Sequence, residues 1–403
     1  MAPTLSNELL LKASAEFGTP LYLYDADRII HQYNLLKSSF HRSDVRIFYA
    51  CKALTNVNIL KVLQQQGSGI DCVSINEVKL ALHAGFDPQK IIFTPNGVGM
   101  DEYLEATQLK VNINIDNLSM LEAFGKHFGH DYPVIVRLNP HIMAGGNLKI
   151  STGHVDSKFG ISIDQVEKIV AIVNQTNVYI KGLHIHTGSE IKDIAVFVKG
   201  LKTVLELTKL FPELSIIDLG GGFKVPYKPN DEGTDMEVLG EYLAEAMGSF
   251  ERESGKKLQV WFEPGKFLVS QCGYFLVRAN VIKQAPTRTF VGVNSGFNHL
   301  IRPMFYDAYH KIENISNPEG EKLMYNVVGN ICETDTFAWD RELSAVRPND
   351  ILLFSNAGAY GFEMSSRFNS RARPAEVMVN NGEMKLIRRR ENFDDILQGV
   401  ILD

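Results

Sequence analysis

The chain has 403 residues, 45% of them hydrophobic, and a formal net charge of -6 with histidine neutral. That length and apolar content suit two domains with a sizeable core and exclude a disordered protein. An acidic balance without a basic run excludes an electrostatic footprint for nucleic acid or an anionic membrane, so small molecules or other protein chains are the expected partners.

Residues 1–7 lack a basic segment followed by an apolar stretch, and no later run approaches the ~20 apolar residues of a membrane span, which predicts a soluble, cytoplasmic protein. Residues 20–24 read as a strand free to join a later β domain. Between about Ala26 and Ser270, strand-like and helix-like segments alternate as βα units around a parallel sheet do. Strands are expected at 45–50, 69–73, 91–94, 112–115, 134–137, 182–186, 216–219 and 258–263, and eight is the closing number of a (β/α)8 barrel. Ser74 with Glu77, and Ser162 with Gln165, have the spacing of helix-starting capping boxes, and Gly85 is the expected stop of a helix over 77–84. After about Gly273 the rhythm changes to short runs at 274–283, 290–293, 322–328, 350–354 and 375–383, with little helix between them. Asn381-Gly382, between apolar-alternating runs at 376–379 and 384–387, predicts a tight hairpin. The expected fold is therefore α/β plus all-β: a (β/α)8 barrel over 26–270, then a β-sandwich or β-barrel domain formed by 1–25 and 271–403. Four cysteines without paired spacing argue against disulfides or a zinc site; Cys51, Cys72 and Cys272 sit in apolar runs and read as core.

Chemistry collects at the strand ends. Lys52 follows Ile47-Phe48-Tyr49-Ala50-Cys51, where a lysine is either a snorkelling surface residue or an amine held for covalent work. The motifs that follow favour the second reading: His186-Thr187-Gly188-Ser189, Asp218-Leu219-Gly220-Gly221-Gly222 and Glu263-Pro264-Gly265 also end apolar runs. In a barrel these ends face one pocket. An amine forms an imine with an aldehyde, and pyridoxal 5'-phosphate is the aldehyde cofactor that needs the other three features as well. Gly220-Gly221-Gly222 and the Gly265-Lys266 step would offer backbone N–H groups to its phosphate. Glu263 would keep its pyridine nitrogen protonated, and His186 would lie against its ring. Ser189 either meets the phosphate or caps a helix beginning near Ile191.

Tyr49-Ala50-Cys51-Lys52-Ala53 with those three motifs resembles the barrel-fold PLP decarboxylases, the family that includes ornithine, arginine and diaminopimelate decarboxylases. The likeness continues through Arg302-Pro303 with Tyr306, Cys332-Glu333, Ala357-Gly358-Ala359-Tyr360, Phe368-Asn369-Ser370-Arg371 and Arg373-Pro374, a set most similar to the diaminopimelate branch. It runs from about Thr19 to Val379.

The resemblance implies that Lys52 holds PLP, that His186 stacks on it and that Glu263 pairs with its nitrogen. It also implies that Gly221, Gly222, Gly265 and Ser189 lie at the phosphate, with Tyr360 close to both phosphate and substrate. Arg302 and Tyr306 would bind the distal carboxylate of the substrate and Glu333 its distal ammonium, with Lys266 also among the substrate contacts. Cys332 would reach the cofactor from the second subunit of a homodimer and supply a proton. Asp71, Glu77 and Arg137 match positions near the cofactor, although Glu77 also fits a capping box and Arg137 an ordinary strand-end ion pair. The implied reaction is decarboxylation of meso-2,6-diaminopimelate to L-lysine, the last step of lysine biosynthesis. Its alternatives are decarboxylation of ornithine, arginine or a carboxylated polyamine such as carboxynorspermidine, and a non-catalytic PLP-binding relative. The chain departs from the family at Lys266, where arginine is usual, at Thr334-Asp335-Thr336 after Cys332-Glu333, and at Thr94-Pro95-Asn96-Gly97 in the third barrel loop.

Overall fold

A computed structural model describes residues 5–142 and 153–401. It divides into two compact units, one of Gln32–Val225 and Glu232–Leu268, the other of Met1–His31, Pro226–Asp231 and Val269–Asp403.

Strand β1 (Leu21–Asp25) belongs to the second unit, and the chain then enters the barrel. All eight barrel strands expected from the sequence are present: β2 (Val45–Ala50), β3 (Gly69–Cys72), β4 (Ile91–Phe93), β5 (Asn112–Ile115), β6 (Val134–Asn139), β8 (Ile180–Ile185), β9 (Ile216–Asp218) and β10 (Gln259–Phe262). Every neighbouring pair is parallel, and pairings of β5 with β6 and of β10 with β2 close the ring; a two-residue strand, β7 (Ile161–Ser162), adds only to β6.

The barrel interior is built in layers because strand side chains alternate sides with a period of two. Phe48, Ile92, Ile135, Ile216 and Trp261 form one buried apolar cluster, with the Phe48 and Trp261 rings 4.4 Å apart. Glycines on intervening strands leave room for them. A Cβ on Gly69 would stand 2.4 Å from the Phe48 ring, and one on Gly182 would press on Ile216 and Ile135. Helices cover the outside, several with the expected punctuation. Ser74 accepts the Glu77 N–H and starts helix Ile75–Ala84, which Gly85 ends in the left-handed region at φ 94°. Ser162 instead caps a single 3-10 turn, Ile163–Gln165, and the α-helix begins one residue later at Val166.

The second unit is a nine-stranded, mostly antiparallel sheet. Its strands are β1, β11 (Gly273–Gln284), β12 (Thr289–Val293), β13 (Ile312–Asn314), β14 (Lys322–Val328), β15 (Thr336–Ser344), β16 (Ile351–Phe354), β17 (Ala375–Asn380) and β18 (Glu383–Arg388). The run at 375–383 is thus two strands, turned at Asn381 and Gly382 with φ of 49° and 79°. β13 and β15 were not evident from the sequence. β15 carries Asp340 at φ 45° opposite irregular register with β14, which breaks the period-two signal. β1 lies between β11 and β17, its Leu21 and Leu23 packed with Leu10, Leu276 and Val377 while Tyr22 stacks 4.6 Å from Phe275. The stretch Pro226–Asp231 joins this unit because the Pro226 carbonyl accepts the Asn356 amide and the Tyr227 hydroxyl accepts Arg302. Cys51, Cys72 and Cys272 are buried as expected, and Cys332 is exposed. No helix among the described residues is long and apolar enough to cross a membrane.

Removing the largest floor residue should open a cavity that the ring of strands cannot close. Trp261→Ala is expected to lower the unfolding free energy by about 3–5 kcal/mol and Ile135→Val by about 0.5–1.5 kcal/mol, read from urea denaturation midpoints at unchanged slope.

Candidate active site

One step along each strand beyond the apolar floor, the interior becomes polar. Two residues after Ile92, Ile135, Ile216 and Trp261 come Thr94, Arg137, Asp218 and Glu263, all nearly inaccessible. β3, β5 and β8 contribute Asp71, Asn114 and His184, equally buried. Register brings them together, since His184 pairs with Arg137 on one side and with Asp218 on the other.

Lys52 lies in the short turn Cys51–Ala53 just past β2, its Nζ 3.6 Å from Oδ2 of Asp71. Desolvation then fixes the protonation states around it. Burial, reinforced by Asp218 and Asp71, raises the Glu263 carboxyl well above its usual range, while Lys52 pulls the other way. Burial pushes Asp218 up to about 7, against the Gly220 N–H that donates to its Oδ1 at 2.8 Å. Burial thus shifts both carboxyls toward their neutral forms. Burial also depresses Arg137, opposed chiefly by Glu263 and Asp116, and its guanidinium stacks 4.8 Å above the Phe159 ring.

Both histidines are neutral. Burial, with Arg137 and Lys52 adding, holds His186 well below the usual imidazole range. The Gly221 N–H donates to its Nδ1 at 3.2 Å, which leaves the ring proton on Nε2. His184 is depressed for the same first reason, burial. Asn114 Nδ2 donates to its Nδ1 at 2.5 Å, which leaves its proton on Nε2, 3.5 Å from Glu263 Oε2 and outside hydrogen-bond geometry.

The glycine triplet is a tight backbone cradle. Gly220 and Gly222 have φ of 66° and 94°, and a Cβ at 220, 221 or 222 would meet His186 at 2.5 Å, the Glu263 carbonyl at 2.2 Å or the Gly188 carbonyl at 2.1 Å. The His186–Ile191 loop closes on this turn through the Ile191 N–H, which donates to the Gly222 carbonyl at 2.9 Å. Ser189 is part of that loop. It caps no helix, because the next one starts at Ile194 under the Asp193 side chain. Gly265 leads into the short helix Lys266–Val269, and the largely buried Lys266 donates to Glu190 Oε1 at 2.8 Å, with Glu190 itself at φ 62°. Glu77 accepts the Val73 N–H at 2.8 Å beside the end of β3.

The remaining expected residues lie in the other unit. Arg302 is buried at the start of helix Arg302–Tyr306, its guanidinium 5.1 Å over the Tyr227 ring and donating to the Tyr227 hydroxyl at 2.8 Å. Tyr306 packs edge-on to Phe305. Cys332 is exposed and clasped by Asn369, which accepts its N–H at 3.0 Å and donates to its Sγ at 3.1 Å; Glu333 beside it is exposed. Tyr360 is half-buried with φ 55°, a left-handed backbone that a tyrosine adopts only under local constraint.

Four contributors were not assigned from the sequence: His184, Asn114, Asp218 and Tyr227. The first three carry a readable signal, since each shares strand parity with a chemical residue two positions on or with its paired neighbour. Tyr227 carries none, because only folding brings it to Arg302.

A pyridine-phosphate aldehyde fits the barrel residues. Lys52 is the amine, and the close packing around the triplet admits glycine alone at 220, 221 and 222. Glu263 Oε1 is buried without a hydrogen-bond partner, as an acceptor awaiting a protonated ring nitrogen would be. Residues 26–270 match the family model described as pyridoxal-dependent decarboxylase, pyridoxal binding domain. The diaminopimelate decarboxylase of Methanothermobacter thermautotrophicus is 38% identical over 399 residues, spanning 95% of this chain and 92% of that protein. That of Campylobacter jejuni is 38% identical over 390 residues, spanning 94% and 95%. The crystal structure of diaminopimelate decarboxylase from Helicobacter pylori complexed with L-lysine superposes with a TM-score of 0.89 at 30% identity, covering 96% of this chain and 98% of that one.

The raised carboxyls link folding to pH. A group whose pKa is higher folded than unfolded binds its proton more tightly in the native state, so its contribution is complete at low pH and is lost as pH rises. For Asp218 the window runs from 3.8 to about 7. The urea midpoint of cofactor-free protein should therefore fall across that window, and Asp218→Asn, which can still accept the Gly220 N–H, should flatten the decline; an equally steep decline in the variant would count against the raised Asp218 carboxyl.

Proposed function

Because the chain belongs to the pyridoxal-dependent decarboxylase family, we propose that it removes carbon dioxide from meso-2,6-diaminopimelate to give L-lysine, the last step of lysine biosynthesis. The observation that carries this reading is the buried, partnerless Oε1 of Glu263 in the same polar layer as Lys52 and His186, backed by full-length similarity to diaminopimelate decarboxylases.

Pyridoxal 5'-phosphate bound at Lys52 supplies an electron sink for the bond pair released with carbon dioxide. The chain's own groups make that sink usable. Glu263 would hold the proton of the ring nitrogen, with His184 Nε2 3.5 Å from its other oxygen. His186, locked by the Gly221 N–H, offers a neutral face against the ring. The backbone N–H groups of Gly222 and Gly265, the Ser189 hydroxyl and Tyr360 would receive the phosphate, with Gly221 beside it giving its N–H to His186. Asp71 and Arg137 set the field around the lysine, while Lys266 approaches as a point charge steadied by Glu190.

Substrate choice follows charge. Diaminopimelate ends in an ammonium and a carboxylate, whereas ornithine and lysine end in an amine alone. Arg302 with Tyr306 suits the carboxylate and Glu333 the ammonium; leaving one of them unpaired in a dry site costs about 1–3 kcal/mol or more. A proton must take the place of the departing carbon dioxide. Cys332 of the partner subunit supplies it in a cytoplasmic homodimer with two shared sites, its thiol oriented by Asn369.

Purified protein reconstituted with PLP should release carbon dioxide from meso-diaminopimelate and not from ornithine, arginine, lysine or carboxynorspermidine; release from one of the latter instead would reassign the substrate. Lys52→Ala should lose both the visible absorbance of bound cofactor and turnover, and borohydride reduction of the wild type should leave a pyridoxyl group on the Lys52 peptide. Cys332→Ala should keep cofactor absorbance while kcat falls at least tenfold, and full activity would remove the thiol from its role.

A further inference from the structure

The barrel has a second concave surface, at the amino-terminal ends of its strands and opposite the ends that carry Lys52, His186 and Glu263. A cavity of about 820 Å³ opens there beside residues 33–38 of helix Ala26–Ser39, the first residues of β2, and Gly67, Gly69 and Lys90. Small-molecule sites span about 300–1,000 Å³.

Two glycines keep it open. Gly69 cannot carry a side chain, since its Cβ would strike the Phe48 ring, and Gly67 sits at φ 90°, which disfavours any other residue. The charge of the lining is one-sided. Lys37, Arg46, Lys90 and His41 face the cavity, and no aspartate or glutamate does. Among the described residues none of the three permanent cations has a carboxylate within ion-pair distance. Lys90 Nζ only grazes the Gly67 carbonyl at 3.4 Å, and Asp44, two residues before Arg46, is engaged by Gln259 Nε2 at 3.1 Å. A position in the last turn of a helix accounts for Lys37 through the helix dipole. Arg46 stands on a strand and has no such reason to be there. Three like charges converging on one concavity raise the local potential and call for an anion of matching valence.

We propose that this cavity binds a compact multivalent anion, a phosphorylated or polycarboxylate metabolite, held by Lys37, Arg46 and Lys90. The proposal is independent of the reaction assigned above. It also places the ligand at the far end of the strand, β2, whose other end leads into Lys52.

The test is calorimetric titration of the PLP-loaded protein, freed of unbound cofactor so that the catalytic phosphate cradle is filled, with sodium pyrophosphate and separately with citrate at low ionic strength. One site per chain is expected for at least one probe. A response to pyrophosphate alone assigns phosphorylated ligands, and one to citrate alone assigns polycarboxylates. Affinity should fall at least tenfold in Arg46→Gln/Lys90→Gln. Lys37→Gln, on an exposed helix position, should weaken binding by itself and gives an independent reading if the double variant fails to fold. Absence of heat with both probes at millimolar concentration, or affinity unchanged in the variants, would overturn the proposal.

Discussion

Everything at the catalytic end of the barrel depends on strand register. Because side chains alternate, a closed ring of eight strands presents its inward residues in layers, and in this chain an apolar layer lies directly beneath a charged one. A slip of one residue on β6, β9 or β10 would exchange Arg137, Asp218 or Glu263 for an outward-facing neighbour. The apolar floor, filled by Phe48 and Trp261 and fitted by Gly69 and Gly182, is what excludes such slips. It also keeps water from reaching the polar layer from below.

Desolvation in that layer then does chemical work. Isolated, each of Asp71, Asp218, Glu263 and Arg137 would be too costly to bury charged. Together they compromise: two carboxyls shift toward their neutral forms, both histidines go neutral, and the arginine stacks on Phe159. The result is a site with an unmet demand, a buried acceptor oxygen on Glu263 and a lysine nearby, which a cationic ring with an aldehyde would satisfy. The backbone cradle completes the fit. Its three glycines are required by the approach of His186 and the carbonyls of Glu263 and Gly188, so their absence of side chains is a packing necessity, and two of their N–H groups fix Asp218 and His186.

Much of this was legible beforehand, and the exceptions share a cause. Residues whose signal is local were readable: the apolar runs of the eight barrel strands, the Ser74 cap, the Gly85 stop, the Asn381-Gly382 turn. Where long-range pairing overrides local pattern the sequence was mute. β15 is interrupted by Asp340, which the Asn326 side chain holds by its N–H, so its alternation never shows. Ser189 has the identity of a helix cap yet serves a loop, because Asp193 sits closer to the helix that forms. His184 and Asn114 meet only when the ring closes and places one against the other.

The sequence by itself determined the alternation that makes a barrel, the order of its strands, and the identities of the amine, imidazole, glycines and carboxylate at their ends, since each is a matter of residue type and spacing along the chain. Only the tertiary structure decided which of those groups are charged, that His184 and Asp218 bear on Glu263, that Tyr227 leaves the barrel segment to hold Arg302, and that three cations gather at the opposite rim. The physical reason is that protonation and pairing depend on burial and on neighbours distant in the chain, and neither exists until the strands have closed.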